Sequence, residues 1–269
     1  MRVQAVVLAI STLVAGAQAV PRTSALVDAV TNYVSQYQQE FVSLVADEHV
    51  TQRVTVRGAV TATRESGGEL FSAFVDDAGT WMSVHDIQIV DGEPVVGRRD
   101  VRALLRSQSF RDVGRLLAAE NARFNLGHVS RNFNEPTLAL LLFTRTHVRN
   151  LSVDRDARPA VGGGTALVTL RVKLPDDAPL VRSLTRRVTT RGTFIVEPGG
   201  RIHETAVRFD DGEVTAELKT LYAFDAHVDV WVPVTFTERY TDDRTREITD
   251  VKTTVTNYRR FQTSGRVVE

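Results

Sequence analysis

The side chains best suited to chemistry are concentrated in one stretch, ENARFNLGHVSRNFNEPTLALLLF, at positions 120–143. The stretch combines a carboxylate, an imidazole, guanidinium groups and amides directly before an apolar run. These residues are Glu120, Arg123, Asn125, His128, Arg131, Asn132 and Asn134. Imidazole and carboxylate groups transfer protons near neutral pH, and guanidinium groups bind carboxylate or phosphate. The composition is therefore compatible with a catalytic loop or with a lid.

The spacing within the stretch favours a lid. Glu120 and Arg123 are three residues apart on one predicted helix, which is the spacing of an ordinary ion pair. The asparagines flank Gly127 and Pro136, where side-chain amides satisfy backbone groups of a loop. The run Leu138–Phe143 is too short to span a membrane and is apolar on all sides, so it requires cover on every face. We expect the polar residues to brace the loop and the leucines to fill or roof a cavity.

Other catalytic and metal-binding motifs are missing from the sequence. The six histidines contain no i, i+4 pair, and neither an HExxH motif nor a G-x-S-x-G elbow occurs. The three glycines at 162–164 lack the lysine and the helix of a phosphate loop, and they indicate a hairpin turn. The chain has no cysteine, which excludes thiol chemistry. A Ser-His-Asp triad, which geometry defines, stays open; otherwise the sequence predicts no enzyme, no cofactor and no metal.

The basic residues are biased in type and clustered in one place. Of the 33 basic residues all but three are arginine, and a biased codon supply explains this as well as a need for bidentate contacts. The three lysines are Lys173, Lys219 and Lys252. Four arginines cluster around the start of a predicted strand, where they would meet a phosphate or an acidic partner, or guard a solvated strand edge. These are Arg182, Arg186, Arg187 and Arg191. The formal net charge is zero, so no global field attracts nucleic acid.

The N-terminus, MRVQAVVLAISTLVAGAQAVP, has the three parts of a secretory signal peptide. Arg2 supplies the positive charge, residues 3–15 are apolar, and Ala17-Gln18-Ala19 fits the small-x-small cleavage rule. A membrane anchor would need about 20 unbroken apolar residues, and Gly16 ends the run too early. We expect cleavage of residues 1–19 and export to a periplasm or to the extracellular space, with no membrane span in the mature chain.

Residues 20–269 are predicted to form a single α+β domain. The periodicity indicates a helix over 24–49, strands within 52–90, a helical lid over 98–143 and consecutive strands over 147–262. Residues 69–75 are apolar at both parities, which indicates cover on both faces of that strand. Because short Gly and Asp turns join the later strands, these form antiparallel hairpins that must curl or close. The predicted fold is an unclosed half-barrel of about 10 strands, with the N-terminal amphipathic helix and two or three lid helices on its concave face.

Two resemblances support this fold. The order of elements, and the strand-turn-strand GTFIVEPGGRIHETAVRF at 192–209, resemble the outer-membrane lipoprotein carrier (LolA-like) superfamily. That resemblance implies an apolar cavity under helices and a lipid or lipoprotein acyl chain as partner. The segments WMSVHDIQIVDGEPVVGR, ENARFNLG, NEPTLALL, VWVPVTFTERY and NYRRFQ are similar to a family of uncharacterised secreted proteins of soil bacteria such as acidobacteria. The second resemblance implies a compartment and a fold but no activity.

Two functions are compatible with these features. The first is a soluble exported protein that binds a lipid or another apolar ligand in the half-barrel. The aromatic and aliphatic candidates for the pocket lining are Phe74, Trp81, Leu138, Leu141, Tyr222 and Trp231. The second is a non-enzymatic structural or interaction protein of the cell envelope, with a filled core and an envelope protein as partner.

Overall fold

The structure is a computed structural model, which describes residues 22–261 except 42, 77, 130, 132–134, 157–159, 163–164 and 182–185. At 160–162 and 165 only the backbone is described. The predicted signal peptide, Asn132, Asn134 and Arg182 lie outside the described residues.

The secondary structure falls into three consecutive blocks: a helix followed by strands, a group of helices, and a group of strands. Helix α1 (Thr23–Glu40) comes first and is followed by strands β1 (Leu44–Val56), β2 (Ala59–Val75), β3 (Thr80–Val90) and β4 (Glu93–Pro94). The middle block contains α2 (Val101–Ser107), α3 (Phe110–Asn121) and the 3-10 helices Ala122–Phe124, Leu138–Phe143 and Val148–Asn150. The last block contains β5 (Ser152–Arg155), β6 (Ala160–Gly162), β7 (Thr165–Leu174), β8 (Thr189–Val196), β9 (Ile202–Asp210), β10 (Val214–Asp225), β11 (Val230–Asp242) and β12 (Glu247–Arg260).

One antiparallel sheet carries the whole fold and confirms the predicted unclosed half-barrel. Its strand order is β4-β3-β2-β1-β12-β11-β10-β9-β8-β7-β5, and β6 pairs with β7 beside this path. Consecutive hairpins build each half, and β1 joins the halves by pairing with β12 along its whole length. The sheet ends at β4 on one side and at β5 on the other, so it is not closed into a barrel.

The first helix is shorter than the sequence predicts. It ends at Glu40, and the segment predicted as its last part, from Leu44, is strand β1. Phe41 and Leu44 continue the helical spacing, which explains the error. Valines and threonines dominate after that point, and such β-branched residues favour strands. Pairing with both β2 and β12 then fixes the segment in the centre of the sheet.

A leucine-rich plug fills the larger of two apolar cores. We use the name plug for the 3-10 helix Leu138–Phe143, in which Leu140, Leu142 and Phe143 are at most 1% exposed. The buried face of α1 packs in the same core as the plug and the inward residues of β7 to β11. The Phe143 ring meets the Phe194 ring of β8 edge-on, with centroids 4.9 Å apart. The plug is therefore core, as expected of a segment that is apolar on all sides.

The second core lies on the opposite face of β1 to β3. Val45, Phe71 and Val84 form one cross-strand row and pack against α2 and α3. The adjacent row, with Ala46 and Leu70, belongs to the first core. Both faces of β2 are thus covered, as predicted for 69–75. The prediction that all helices occupy one concave face is wrong, because alternate residues of these strands are apolar in both directions.

Candidate functional site

A cavity of about 290 Å³ lies between β1, β2, β3, β11, β12, α3 and the segment that follows α3. We call residues 122–129 and 131 the lid segment. It follows α3 and reaches across β2 and β1 to β12. Within the described residues it includes most of the polar side chains that the sequence singles out between 120 and 143.

Buried side chains of the sheet hold the backbone of the lid segment. Gln52 of β1 is 3% exposed; it donates to the carbonyl of Phe124 (3.1 Å) and accepts from the amide of Leu126 (3.0 Å). Arg64 of β2 donates to the same Phe124 carbonyl (3.1 Å). Gly127 has φ +88°, and a Cβ there would lie 2.7 Å from Glu247 Oε1 and clash with Thr249. Glycine therefore lets the backbone approach β12 closely.

His128 anchors the far end of the lid segment on Glu247, which is 2% exposed. The Glu247 carboxylate accepts from the His128 amide and from its Nδ1, each at 2.6 Å. Burial pushes the pKa of Glu247 upward, but the hydrogen bonds from His128 outweigh it and lower the pKa overall. The hydrogen bond to Glu247 raises the pKa of His128. The charged pair thus persists over a wide pH range.

The pH dependence of lid anchoring follows from these two shifts. A raised histidine pKa stabilises the anchored lid below the ordinary value of 6.5 and loses that effect as pH rises through the raised value. A lowered glutamate pKa stabilises it above 4.5 and loses that effect as pH falls through the lowered value. We expect hydrogen exchange of the Leu126 and His128 amides, corrected for intrinsic rates, to be slowest between these limits. In the His128→Gln variant, the faster exchange at high pH should no longer depend on pH. If the exchange rates of that variant change with pH as in the wild type, His128 does not cause the high-pH change.

Arg131 brings an unpaired positive charge into the cavity wall. It is 6% exposed, and its guanidinium donates to Gln52 Oε1 and to Asn125 Oδ1 (2.9 Å). Both partners are neutral amides, and no salt bridge joins Arg131 to another described residue. Its Nε is buried without a hydrogen-bond partner in the described structure. Burial lowers the pKa of Arg131, as desolvation of a cation requires.

Three glutamates, Glu48, Glu135 and Glu238, line the same cavity and have different partners. Glu48 accepts from, or donates to, His85 Nδ1 at 2.9 Å. Burial raises the pKa of Glu135 and outweighs its hydrogen bonds to Thr137, and its Oε2 has no partner in the described structure. Burial likewise raises the pKa of Glu238, which accepts from the Tyr240 hydroxyl. Burial thus shifts both groups toward the neutral form, whereas the nearby Arg131 guanidinium shifts Glu238 toward the charged form.

The rest of the wall is mixed, with polar groups such as Ser66, Asn121 and Thr253 beside an apolar part. The apolar part is formed mainly by Leu70, Trp81, Ile87, Phe236 and Val251. The cavity therefore combines a cationic hydrogen-bonding end with a hydrophobic surface. It lies near the lower end of the ~300–1,000 Å³ range of small-molecule pockets.

The structure brings one of the six predicted lining residues to this cavity, namely Trp81. Phe74 packs edge-on against the Trp81 ring, with centroids 5.0 Å apart. Leu141 is buried in the plug core, and Leu138 borders a void of only about 10 Å³. The Tyr222 hydroxyl donates to the Pro136 carbonyl (3.2 Å). Trp231 lies in an open surface groove beneath Arg201.

The sequence did not identify the charged residues of the cavity, apart from naming Arg131 within the lid. A signal was present, because Glu48 and Gln52 share one parity of β1 with buried Ala46 and Val54. In the same way Glu238 stands between Phe236 and Tyr240 on the buried face of β11. Polar residues at buried positions of an alternating strand indicate a site. The predicted Glu120–Arg123 pair is replaced by a Glu120–Arg99 bridge of 2.7 Å.

Across the described part of the chain, no three His, Asp or Glu side chains are grouped so as to hold a metal ion. No helix among these residues is long and apolar enough to cross a membrane.

Solved structures with a similar arrangement include proteins of the LolA superfamily. A DUF1329 family protein from Desulfovibrio piger aligns with a TM-score of 0.40 and 12% identity, over 87% of this chain and 92% of that one. A putative outer membrane lipoprotein-sorting protein domain from Vibrio parahaemolyticus aligns with a TM-score of 0.38 and 12% identity, over 90% of this chain and 95% of that one. A LolA superfamily protein from Nitrosomonas europaea aligns with a TM-score of 0.33 and 10% identity, over 87% of this chain and 94% of that one. The likeness is one of fold alone. No family model matches the sequence, and no curated protein matches it.

Proposed function

We propose that this protein binds a small amphiphile, with an anionic head at Arg131 and a short apolar tail along the wall that includes Trp81. The role is one of binding, not of catalysis, in an exported protein as the N-terminal sequence suggests. The observation that carries the proposal is a buried arginine in the wall of a cavity, which forms no salt bridge with a described residue and has Glu238 as an acidic neighbour.

The anionic head follows from the cost of burying charge. An ion taken out of water loses several kcal/mol of solvation free energy unless a counterion or hydrogen bonds replace the water. Among the described residues Arg131 has two amide acceptors, and its Nε has no partner there. A carboxylate would meet the guanidinium with charge-assisted hydrogen bonds, which are roughly twice as strong as neutral ones.

The short tail follows from the volume and the wall. Leu70, Trp81 and Phe236 offer apolar surface next to the charged end. Where Leu138 and Ala139 of the plug border the neighbouring apolar core, the described residues leave a void of about 10 Å³. A long acyl chain would therefore require the plug to leave its core. A medium-chain amphiphile fits the 290 Å³ cavity with the plug in place.

Calorimetric titration of the purified mature chain with octanoate, octanol and octylamine tests the proposal. We expect saturable binding of octanoate, weaker binding of octanol and none of octylamine. Arg131→Gln should weaken octanoate binding by roughly 10- to 100-fold, since hydrogen bonds to a charged group contribute about 1.5–3 kcal/mol. The matched control is Arg123→Gln, an exposed arginine of the same lid segment, which should bind octanoate like the wild type.

Two results would reject the proposal. One is equal affinity for octanoate and octanol, which would show that no charged head is recognised. The other is an Arg131→Gln variant that remains folded and binds octanoate with unchanged affinity. Native mass spectrometry of protein purified without detergent, followed by organic extraction, should recover the natural ligand as a discrete added mass.

A second candidate function is favoured by the filled plug core. If the chain is a structural or interaction protein of the envelope, the plug leucines are core alone and the cavity holds water. That hypothesis predicts a bare polypeptide mass, no saturable octanoate binding and a stoichiometric protein partner in pull-downs from the envelope.

A further inference from the structure

The face of the sheet opposite the plug carries a second, open groove of about 1050 Å³. Side chains from β1, β5 and β7 to β12 line it, so it crosses most of the sheet. Eight basic and four acidic residues line this groove, and three further acidic residues beside it form salt bridges with the basic ones; these are Asp156, Glu204 and Asp210. The basic ones are Arg53, Arg171, Lys173, Arg191, Arg208, Lys219, Arg239 and Lys252. All three lysines of the chain are among them, although the formal net charge of the whole chain is zero.

Strand register places the charges of this groove in one continuous row. From β9 to β1 the directly opposed residues alternate in sign. The order is Arg208, Glu217, Arg239, Asp250 and Arg53. Salt bridges of 2.9 Å (Arg208–Glu217) and 2.7 Å (Arg239–Asp250) join neighbours in this row. This is the ordinary, stabilising pattern of a solvated sheet face.

The alternation breaks at β8. Arg191 of β8 stands directly opposite Arg208 of β9 on one side and Lys173 of β7 on the other. Like charges in directly opposed positions destabilise a sheet. Neither Lys173 nor Arg191 forms a salt bridge with another described residue. β8 is an interior strand, so Arg191 does not guard an edge, which was one interpretation of the arginine cluster. Its neighbours Arg186 and Arg187 are paired elsewhere, with Glu213 and Asp176.

The neighbouring cross-strand row has mostly short side chains, which leave space beside Lys173 and Arg191. It contains Thr193, Ala206, Thr237 and Thr51, whose short side chains form the floor of the groove. Lys219 and Lys252 stand between them. Lys219 pairs with Glu204 at 2.8 Å, whereas Lys252 has no ion-pair partner in the described chain. A phosphate group carries about −1.5 to −2 charges and three acceptor oxygens near neutral pH, more than a carboxylate offers to adjacent cations.

We propose that the groove binds a soluble molecule carrying several phosphate groups, with Lys173 and Arg191 as its main phosphate site. Arg208, beside them, contributes to the same positive field. Lys219 and Lys252 meet further phosphates along the groove. A concave surface of this kind receives a discrete ligand, whereas a flat bilayer would not reach its floor.

Titration with sodium tripolyphosphate at 50 and 200 mM NaCl tests the site. We expect saturable binding that weakens at the higher salt, because exposed charges are screened. The double variant K173Q/R191Q should lose at least about tenfold in affinity. The control R106Q/R149Q removes two exposed arginines outside the groove and gives the same net charge; it should bind like the wild type.

A stability measurement distinguishes loss of the phosphate site from loss of the fold. R191Q removes a cross-strand repulsion, so its melting temperature should equal or exceed that of the wild type. The proposal is overturned if both double variants bind tripolyphosphate equally, or if the wild type binds citrate as tightly as tripolyphosphate. It is also overturned if only phosphatidylglycerol vesicles bind, since the face would then be a membrane contact.

Discussion

Phe143→Ala is expected to lower the free energy of unfolding by about 3–5 kcal/mol, the usual cost of truncating a fully buried phenylalanine. Phe143 is 0% exposed, and its ring contacts Phe194 of β8 edge-on. The variant would leave a void between the plug and the sheet that neither the helix α1 nor the interior strands can fill without moving. For a chain of this length the melting temperature should fall by roughly 6–20 °C. Denaturant unfolding followed by circular dichroism measures the free energy, and thermal unfolding measures the melting temperature.

The same substitution at an exposed phenylalanine provides the control. Phe224 of β10 is 52% exposed, so Phe224→Ala should change the free energy of unfolding by less than about 1 kcal/mol. A small effect at Phe143 as well would show that the plug is loosely held. The plug core would then be able to open for a long acyl chain, and the short-tail proposal would fail.

The fold was predictable because its evidence is local and repeated. In β10, for example, Ala216, Leu218 and Thr220 alternate with exposed residues, and short turns of Asp and Gly separate the strands. Such patterns specify hairpins, and hairpins in sequence specify a curled antiparallel sheet. The boundary between α1 and β1 was not predictable from spacing, because Phe41 and Leu44 suit both elements. The partner strands β2 and β12 decide it, and they are distant in sequence.

The site was less predictable because its members come from distant parts of the chain. Gln52 and Arg131 are 79 positions apart, yet the same Gln52 holds Phe124 and Leu126 of the lid segment. Aromatic and aliphatic character predicts six lining residues, of which Trp81 reaches the cavity. The leucines and Tyr222 serve the plug core instead. What distinguishes the cavity is buried charge, and burial of a charge depends on tertiary packing rather than on local pattern.

Arg131→Met is expected to stabilise the ligand-free protein by about 1–3 kcal/mol while abolishing recognition of the anionic head. Replacing a buried charge with an apolar side chain of similar length removes a desolvation cost, and such changes are often stabilising. The hydrogen bonds lost are few. Gln52 Oε1 keeps the Leu126 amide as donor (3.0 Å), and Asn125 is partly exposed, so water can replace the guanidinium there.

The carboxyl groups of the cavity do not oppose this gain. Burial raises the pKa of Glu238, and the nearby Arg131 charge acts in the opposite direction. Removing that charge shifts the pKa of Glu238 further upward, toward the neutral form. Urea unfolding of the wild type, Arg131→Met and the exposed control Arg123→Met gives the stability change. Octanoate titration of the same three proteins gives the functional change. If Arg131→Met is less stable than the wild type, the guanidinium stabilises the lid segment. If the variant is more stable and no longer binds octanoate, the buried charge serves ligand binding and lowers the stability of the fold.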